Sequence, residues 1–483
     1  MTERIMIQAH SEYRGLQLAL AERFAEEHAS KIMLYCANKQ EKTYWVRKAG
    51  EIADVRVNAS LYETARLPVG DEKFIMERAR GYETEFGVTI NGLSVMDRHL
   101  GRGYALGGFK HPRSQISEST SYAQMVAAFV NELDFWTQEF DAFMPTLVIG
   151  YNKIQAIIAR GRGIPFRLLT GARYKNYYQW FQNEFFENTL LEERYRETRE
   201  PAMDGAETIA APYKAHMDTR THFHRTVRLD YLLKESLFIV LRYIYWNIRR
   251  YEKGRGYLLS DRLAYPWRRR VDTKLLSGKI SKPLSALEGR RFVYYPLHTE
   301  PEVALQGLSP EYFYQLSCIA ALSRDLPAGT LLAVKETFQA TGRRPTDFYR
   351  QIAEFKNVVM LDMLELGPDV IEACDAVATI TGTAGLEGAV MGKPVITFGQ
   401  HNMYNFLEHV SIVTAESQLR GFLEAALSEQ FDKNKALSDG QRFLQALVSC
   451  SFDLQDYNIL EPEKVTEEQG DEAYHALICS LKV

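Results

Sequence analysis

Short apolar, β-branched runs alternate along the last third of the chain with segments whose apolar residues recur at helical spacing. The alternation predicts strand and helix in strict turn. RFVYYPL (291–297), TLLAVKE (330–336), NVVML (357–361), AVATI (376–380), PVITF (394–398) and VSIV (410–413) read as buried strands. EYFYQLSCIAALSR, with Ser309 as N-cap and Pro310 as first helical residue, reads as a helix. So do PTDFYRQIAEF, PDVIEACD, AGLEGAVM and AESQLRGFLEAAL. Short loops between such elements imply right-handed βαβ crossovers and a parallel sheet covered on both faces, so this part should be Rossmann-like. The N-terminal part repeats the pattern with KIMLYC, the amphipathic SYAQMVAAFVNELDFWTQEF, TLVIG, KIQAIIARG and PFRLLTG.

The expected architecture is therefore α/β, with two Rossmann-like domains facing a cleft. An N-terminal α/β domain (1–173) precedes an aromatic-rich helical insertion and linker (174–290), a C-terminal Rossmann-like domain (291–430) and a helical tail (431–483). A length of 483 residues suits two or three domains. With 58 Lys and Arg against 62 Asp and Glu the net charge is −4, which gives no global field for nucleic acid. Five widely spaced cysteines suit a reducing compartment, and neither a signal peptide nor a membrane-spanning run is visible, so a cytoplasmic location is expected.

In a doubly wound sheet, ligands bind beyond the carboxyl ends of the strands. There the chain offers three candidate loops. Thr381, Gly382, Thr383, Ala384 and Gly385 follow AVATI and precede a helix expected near Leu386. Small residues, hydroxyls and a helix N-terminus form a phosphate cradle, although the same residues equally serve close helix–strand packing. Glu387 offers an acceptor to a ribose hydroxyl. On this reading Gly382→Val fills the space for phosphate and leaves the fold intact. His298, Glu300 and Glu302 stand in the second loop as candidate base or nucleophile. Lys335 and Glu336, with Arg343 and Arg344 beyond, supply cations for phosphate in the third. Neither GxGxxG nor GxxxxGK[ST] occurs, against a dinucleotide oxidoreductase or a P-loop NTPase. In the N-terminal part, Asp97, Arg98, Lys110, His111, Asn152, Lys153 and Arg173 are weaker candidates for the acceptor side. Residues 242–270 carry nine Arg and Lys against two acids, interleaved with aromatics. That composition suits an anionic membrane surface or an acidic glycan, or a helix pair with an aromatic core. Replacing Arg268, Arg269 and Arg270 with serine is the corresponding test.

YYPLHTEPEVAL, LPAGTLLAVKE with GRRPTDFY, NVVML and above all ITGTAGLEGAVMGKPVITFG resemble the capsular polysaccharide biosynthesis and export family. Its members are related to bacterial β-Kdo glycosyltransferases of the GT-B fold. The resemblance covers residues 291–413, with weaker support in LVIGYNKIQAIIARGRGIPFRLL. It implies a cytosolic, metal-independent glycosyltransferase without a cofactor, its nucleotide-sugar donor held by the C-terminal domain, with CMP-Kdo a candidate. A glycan or lipid-linked glycan acceptor would be held by the N-terminal one. By motif, Lys335 and the turn 381–385 would meet the donor phosphate and Glu387 the nucleotide. The family commonly reads Lys-Glu-His-Pro where this chain has Lys335, Glu336, Thr337 and Phe338. A carboxylate or histidine among Asp97, His298, Glu300 and Glu302 would be the base or nucleophile. The alternatives are a GT-B-fold sugar-nucleotide 2-epimerase and an inactive glycan-binding GT-B module.

Overall fold

The computed structural model describes residues 3–97, 100, 116, 119–199, 224–248, 258–300, 302–312, 314–454 and 457–482. Arg98, Lys110 and His111, and residues 249–257 of the basic segment, lie outside them. The strands are β1 (Arg4–Gln8), β2 (Lys31–Cys36), β3 (Ala53–Val57), β4 (Leu147–Ile149), β5 (Phe166–Gly171), β6 (Tyr177–Phe181), β7 (Arg291–Pro296), β8 (Thr330–Lys335), β9 (Val358–Leu361), β10 (Ala376–Thr379), β11 (Val395–Thr397), β12 (Val410–Ile412) and β13 (Phe452–Asp453). Helices include α1 (Arg14–His28), α2 (Tyr122–Phe143), α3 (Lys153–Gly161), α4 (Leu229–Ile248), α5 (Leu259–Leu275), α6 (Val303–Leu308), α7 (Gln315–Asp325), α8 (Thr383–Val390), α9 (Lys433–Ser449) and α10 (Glu467–Ser480).

The chain divides into two compact units. One takes Met1–Ile90, Ser121–Arg199 and Gln445–Val483; the other takes Asn91–Thr120 and Glu200–Leu444. In the first unit the sheet runs β13-β6-β5-β4-β1-β2-β3. Strands β5, β4, β1, β2 and β3 are parallel, and β6 and β13 add an antiparallel edge. In the second unit the order is β12-β11-β10-β7-β8-β9, parallel throughout. Both orders are doubly wound, reversing direction between the first strand and the fourth, so each unit is Rossmann-like. The buried runs explain this. Tyr294 and Tyr295 of β7, Leu332 to Val334 of β8 and Val377 and Ala378 of β10 are sealed from solvent, as strands covered on both faces must be. Each unit has its own apolar core.

The expected boundaries at 173, 290 and 430 fall inside these units rather than between them. Strand β6 continues the first sheet by pairing Leu168 of β5 with Phe181. The tail is no separate element either: α10 returns to the first unit, where Ala473, Tyr474 and Leu477 join its core and the Trp180 indole donates to the Ala473 carbonyl at 2.9 Å. Helices α4 and α5 lie within the span expected to be helical and aromatic-rich. The helix expected from Pro310 starts later, at Gln315, because Ser309 ends α6 and its hydroxyl donates to the Phe398 carbonyl at 3.2 Å.

Candidate functional site

In the second unit the topological switch lies between β7 and β10, and β8 borders β7 on the other side. The three candidate loops therefore leave adjacent strands at the same end of one sheet. Two of them, those after β7 and β8, are locked together by one side chain. Arg344 is 2% exposed. Its guanidinium donates twice to the Glu336 carboxylate at 2.8 Å, to Glu300 Oε2 at 2.6 Å and to the His298 carbonyl at 2.7 Å. The Tyr349 hydroxyl also donates to Glu336, at 2.9 Å. Burial raises the Glu300 pKa despite the opposing guanidinium, so this carboxylate is held in place at an electrostatic cost. Here the structure corrects the expectation for two residues. Arg344 is spent on internal carboxylates and has no face left for phosphate. Glu300 is a buried partner of that cation, not a carboxylate presented to an acceptor.

His298 is likewise built in. The amide of Thr381 donates to its Nε2 at 3.0 Å, so that nitrogen carries no proton, and its Nδ1 lies 3.3 Å from Gln315 Oε1. The ring joins the β7 loop to the β10 loop, which leaves a base role without a lone pair. Glu302 and Asp97 differ from these two, because both are partly exposed. Glu302 is the N-cap residue of α6. The Asp97 carboxylate accepts from the Leu100 amide at 2.6 Å. Asp97 belongs to the second unit, not to the N-terminal one where it was expected, and Gln306 of α6 donates to the neighbouring Val95 carbonyl at 2.8 Å.

Helix α8 starts at Thr383, a turn before the expected Leu386, with Gly382 as an N-cap that has no side chain to offer. The Gly385 amide folds back to the Gly382 carbonyl at 3.1 Å, while the amides of Thr383 and Ala384 precede any intrahelical acceptor. Thr383 is exposed and Thr381 buried. The glycines face the other way. A Cβ on Gly382 would lie 2.8 Å from Thr379 Oγ1 and 3.1 Å from His298 Nε2, and one on Gly385 would lie 2.1 Å from the Tyr404 hydroxyl. They permit close packing against the sheet, so Gly382→Val would disturb the fold rather than fill a ligand space. Lys335, the last residue of β8, makes no ion pair within 4.0 Å among the described residues. Desolvation lowers its pKa, opposed by Glu336, Glu387, Glu365 and Asp362. Glu387, one turn into α8, has its pKa raised by burial and is coupled to Lys335. An uncapped helix start, a desolvated cation without an ion-pair partner among the described residues and an under-solvated carboxylate thus share one end of the sheet. Residues Thr337 and Phe338, which differ from the family pattern, are absorbed locally: Phe338 opens a short 3-10 turn and the Arg269 guanidinium sits 3.9 Å over its ring.

A family model described as capsule polysaccharide biosynthesis protein matches residues 208–418. This stretch is similar to that family. It contains the whole clamp, Lys335 and α8. Solved structures with a similar course include the β-Kdo 2,4-transferase KpsC of Thermosulfurimonas dismutans, at 13% identity, with 61% of this chain and 79% of that one covered and a TM-score of 0.32. Another is Alr3699/HepE of Anabaena in complex with UDP and glucose, at 11% identity, 99% of each chain and a TM-score of 0.31. A search of curated proteins finds no match. Among the described residues no group of three or more His, Cys, Asp and Glu is arranged to hold a metal ion.

Outside the matched stretch, the expected acceptor-side residues divide. Asn152 caps α3 through the Ile154 amide at 2.7 Å and donates to Glu132 at 2.6 Å, which is a structural duty. Lys153 is the first residue of that helix, and Arg173 has a φ of 61° just beyond β5. The more telling cluster was missed. At the first unit's own switch, His10 follows β1 and Tyr151 follows β4, their rings 4.3 Å apart, with Tyr13 stacked on Tyr151 at 5.5 Å. Burial lowers the His10 pKa and raises that of Tyr13. HSEYRG at 10–15 carries no recognisable spacing, and Tyr151 lies 141 positions away from His10, so only the strand order could have paired them. Within the matched stretch the basic segment also needs correction. Arg269 packs under Phe338, and Arg270 donates to the Val227 carbonyl. Replacing these arginines would unseat α5 rather than report on a surface.

Proposed function

We propose that this chain is a glycosyltransferase of capsular or other surface polysaccharide synthesis, drawing on a sugar nucleotide and extending a glycan or glycolipid. The observation that carries the reading is the uncapped start of α8 at the switch between β7 and β10, beside Lys335. Among the described residues, two helix-terminal amides and an ammonium are donors without strong internal acceptors, and a phosphate leaving group supplies what they lack. Glu387 accepts from a sugar or ribose hydroxyl. Asp97 and Glu302, the two partly exposed candidates, are the carboxylates that activate the acceptor hydroxyl. The reaction belongs in the cytoplasm, where sugar nucleotides are made, and CMP-Kdo is the first donor to try. Purified protein incubated with CMP-, UDP- and GDP-sugars, with and without glycan acceptors, tests this. Acceptor-dependent release of nucleotide is expected. Alteration of the sugar nucleotide with no acceptor present would replace the reading with a 2-epimerase, and failure of every nucleotide to bind would replace it with a glycan-binding module.

A further inference from the structure

Helix α4 carries an apolar face that nothing in the described structure covers. Leu229, Leu233, Leu237, Leu241, Ile244 and Ile248 recur at spacings of three and four and are 47 to 74% exposed, with Phe238 and Tyr245 alongside. Only Leu232 of this helix is fully buried. Single exposed leucines are ordinary, but a continuous ridge along a helix of 20 residues is a binding surface. We propose that this ridge docks the protein on an anionic lipid bilayer, lying in the headgroup region.

Charge decides between occupants. Residues 224–275 hold thirteen Arg and Lys against five Asp and Glu; without Arg269 and Arg270, which are engaged internally, eleven remain against five, a local excess of six positive charges in a chain whose net charge is −4. A second copy would bring two such excesses together, which disfavours a ridge-to-ridge dimer. A polyanionic glycan or nucleic acid has no use for a row of leucines. An anionic bilayer takes both, the acyl boundary accepting the ridge and the headgroups accepting the cations. The helix lies along the interface rather than across it, because Asp230, Lys234, Glu235 and Arg242 interrupt it and no described helix is long and apolar enough to span. Lys234 and Arg242 lie over the rings of Phe238 and Trp246 at 5.8 and 6.0 Å, a geometry in which the stem accompanies the ring into the interface while the charge stays with the headgroups. The inference stands independently of what the α8 site binds.

Flotation of the full chain with phosphatidylcholine vesicles containing about a third phosphatidylglycerol tests it, against pure phosphatidylcholine. The protein is expected to float with the anionic vesicles and far less with the neutral ones. Leu237→Ser/Leu241→Ser/Ile244→Ser should cut partitioning at least about thirtyfold with an unchanged melting curve, since all three residues are exposed. Lys234→Glu/Arg242→Glu should weaken anionic binding selectively. Failure to float with anionic vesicles, or full binding by the serine variant, overturns the proposal. So does a dimer in sedimentation velocity that the serine variant dissolves, because the ridge would then be occupied by a second copy.

Discussion

Replacing Arg344 with methionine removes the cation that holds the loops after β7 and β8 of the second unit together. The guanidinium is sealed from solvent and makes contacts of 2.6 to 2.8 Å with two carboxylates and a carbonyl. Its loss leaves Glu300 and Glu336, 4% and 1% exposed, buried side by side without a counter-charge. Removing one partner of a buried ion pair costs about 3–5 kcal/mol, and two stranded carboxylates place Arg344→Met toward the upper end. The loss should depend on pH. Burial already raises the Glu300 pKa above its ordinary value, and without the arginine it rises further. A carboxyl whose folded pKa is raised contributes stability that is fully present below its unfolded value and is lost as pH rises through the folded one. Urea unfolding followed by far-UV circular dichroism should therefore show the full deficit at about pH 7.5 and a smaller one at about pH 5.5. A variant within about 1 kcal/mol of the parent at both pH values would refute the clamp and return Arg344 to the pool of phosphate-binding cations.

Two further outcomes follow from local geometry. Gly385→Ala puts a methyl against the Tyr404 hydroxyl and Thr379, and should cost about 1–3 kcal/mol in unfolding free energy, partly recovered by adding Tyr404→Phe; a neutral Gly385→Ala would show that α8 sits less tightly on the sheet. Asp272 accepts from the Gly342 amide at 3.1 Å, and burial pushes its pKa up to about 6. Its contribution is thus favourable when protonated and fades as pH rises through about 6. Asp272→Asn should stabilise the protein by about 1–2 kcal/mol above that pH, discounted for partial exposure, with the gain vanishing near the ordinary aspartate pKa; a gain independent of pH would exclude titration as its cause.

What could be read from the chain follows from which forces are local. The strands of the second unit are runs such as LLAV and AVAT, buried on both faces, and a run of that kind announces itself. Strand β3 alternates buried and exposed residues over only five positions, and β1 is short and flanked by charge, so neither stands out. The antiparallel edge joins Phe452 to Tyr178 across most of the chain, a pairing that no local signal specifies. At the site, strand order correctly brought the loops of His298, Lys335 and Thr381 to one end of a sheet. Their division of labour was not legible, because it depends on which way each side chain points. Gly382 and Gly385 look like a phosphate cradle in one dimension but turn their missing Cβ atoms inward, onto Thr379 and Tyr404. Arg344 looks like a surface cation until Glu300, 44 positions earlier, folds against it. Gly342 needs its lack of a side chain twice over, with a φ of 84° and the Arg269 backbone 2.7 Å from where a Cβ would stand.

The most direct measurement is calorimetric titration of CMP-, UDP- and GDP-sugars into the parent protein and into Lys335→Met. At least one sugar nucleotide should bind the parent. The variant should bind it about 10- to 100-fold more weakly, the loss of one charged hydrogen bond, while melting no lower than the parent because a desolvated ammonium has been removed. Equal affinity in parent and variant, or no binding by any of these nucleotides, would contradict a donor-phosphate site at Lys335 and the start of α8.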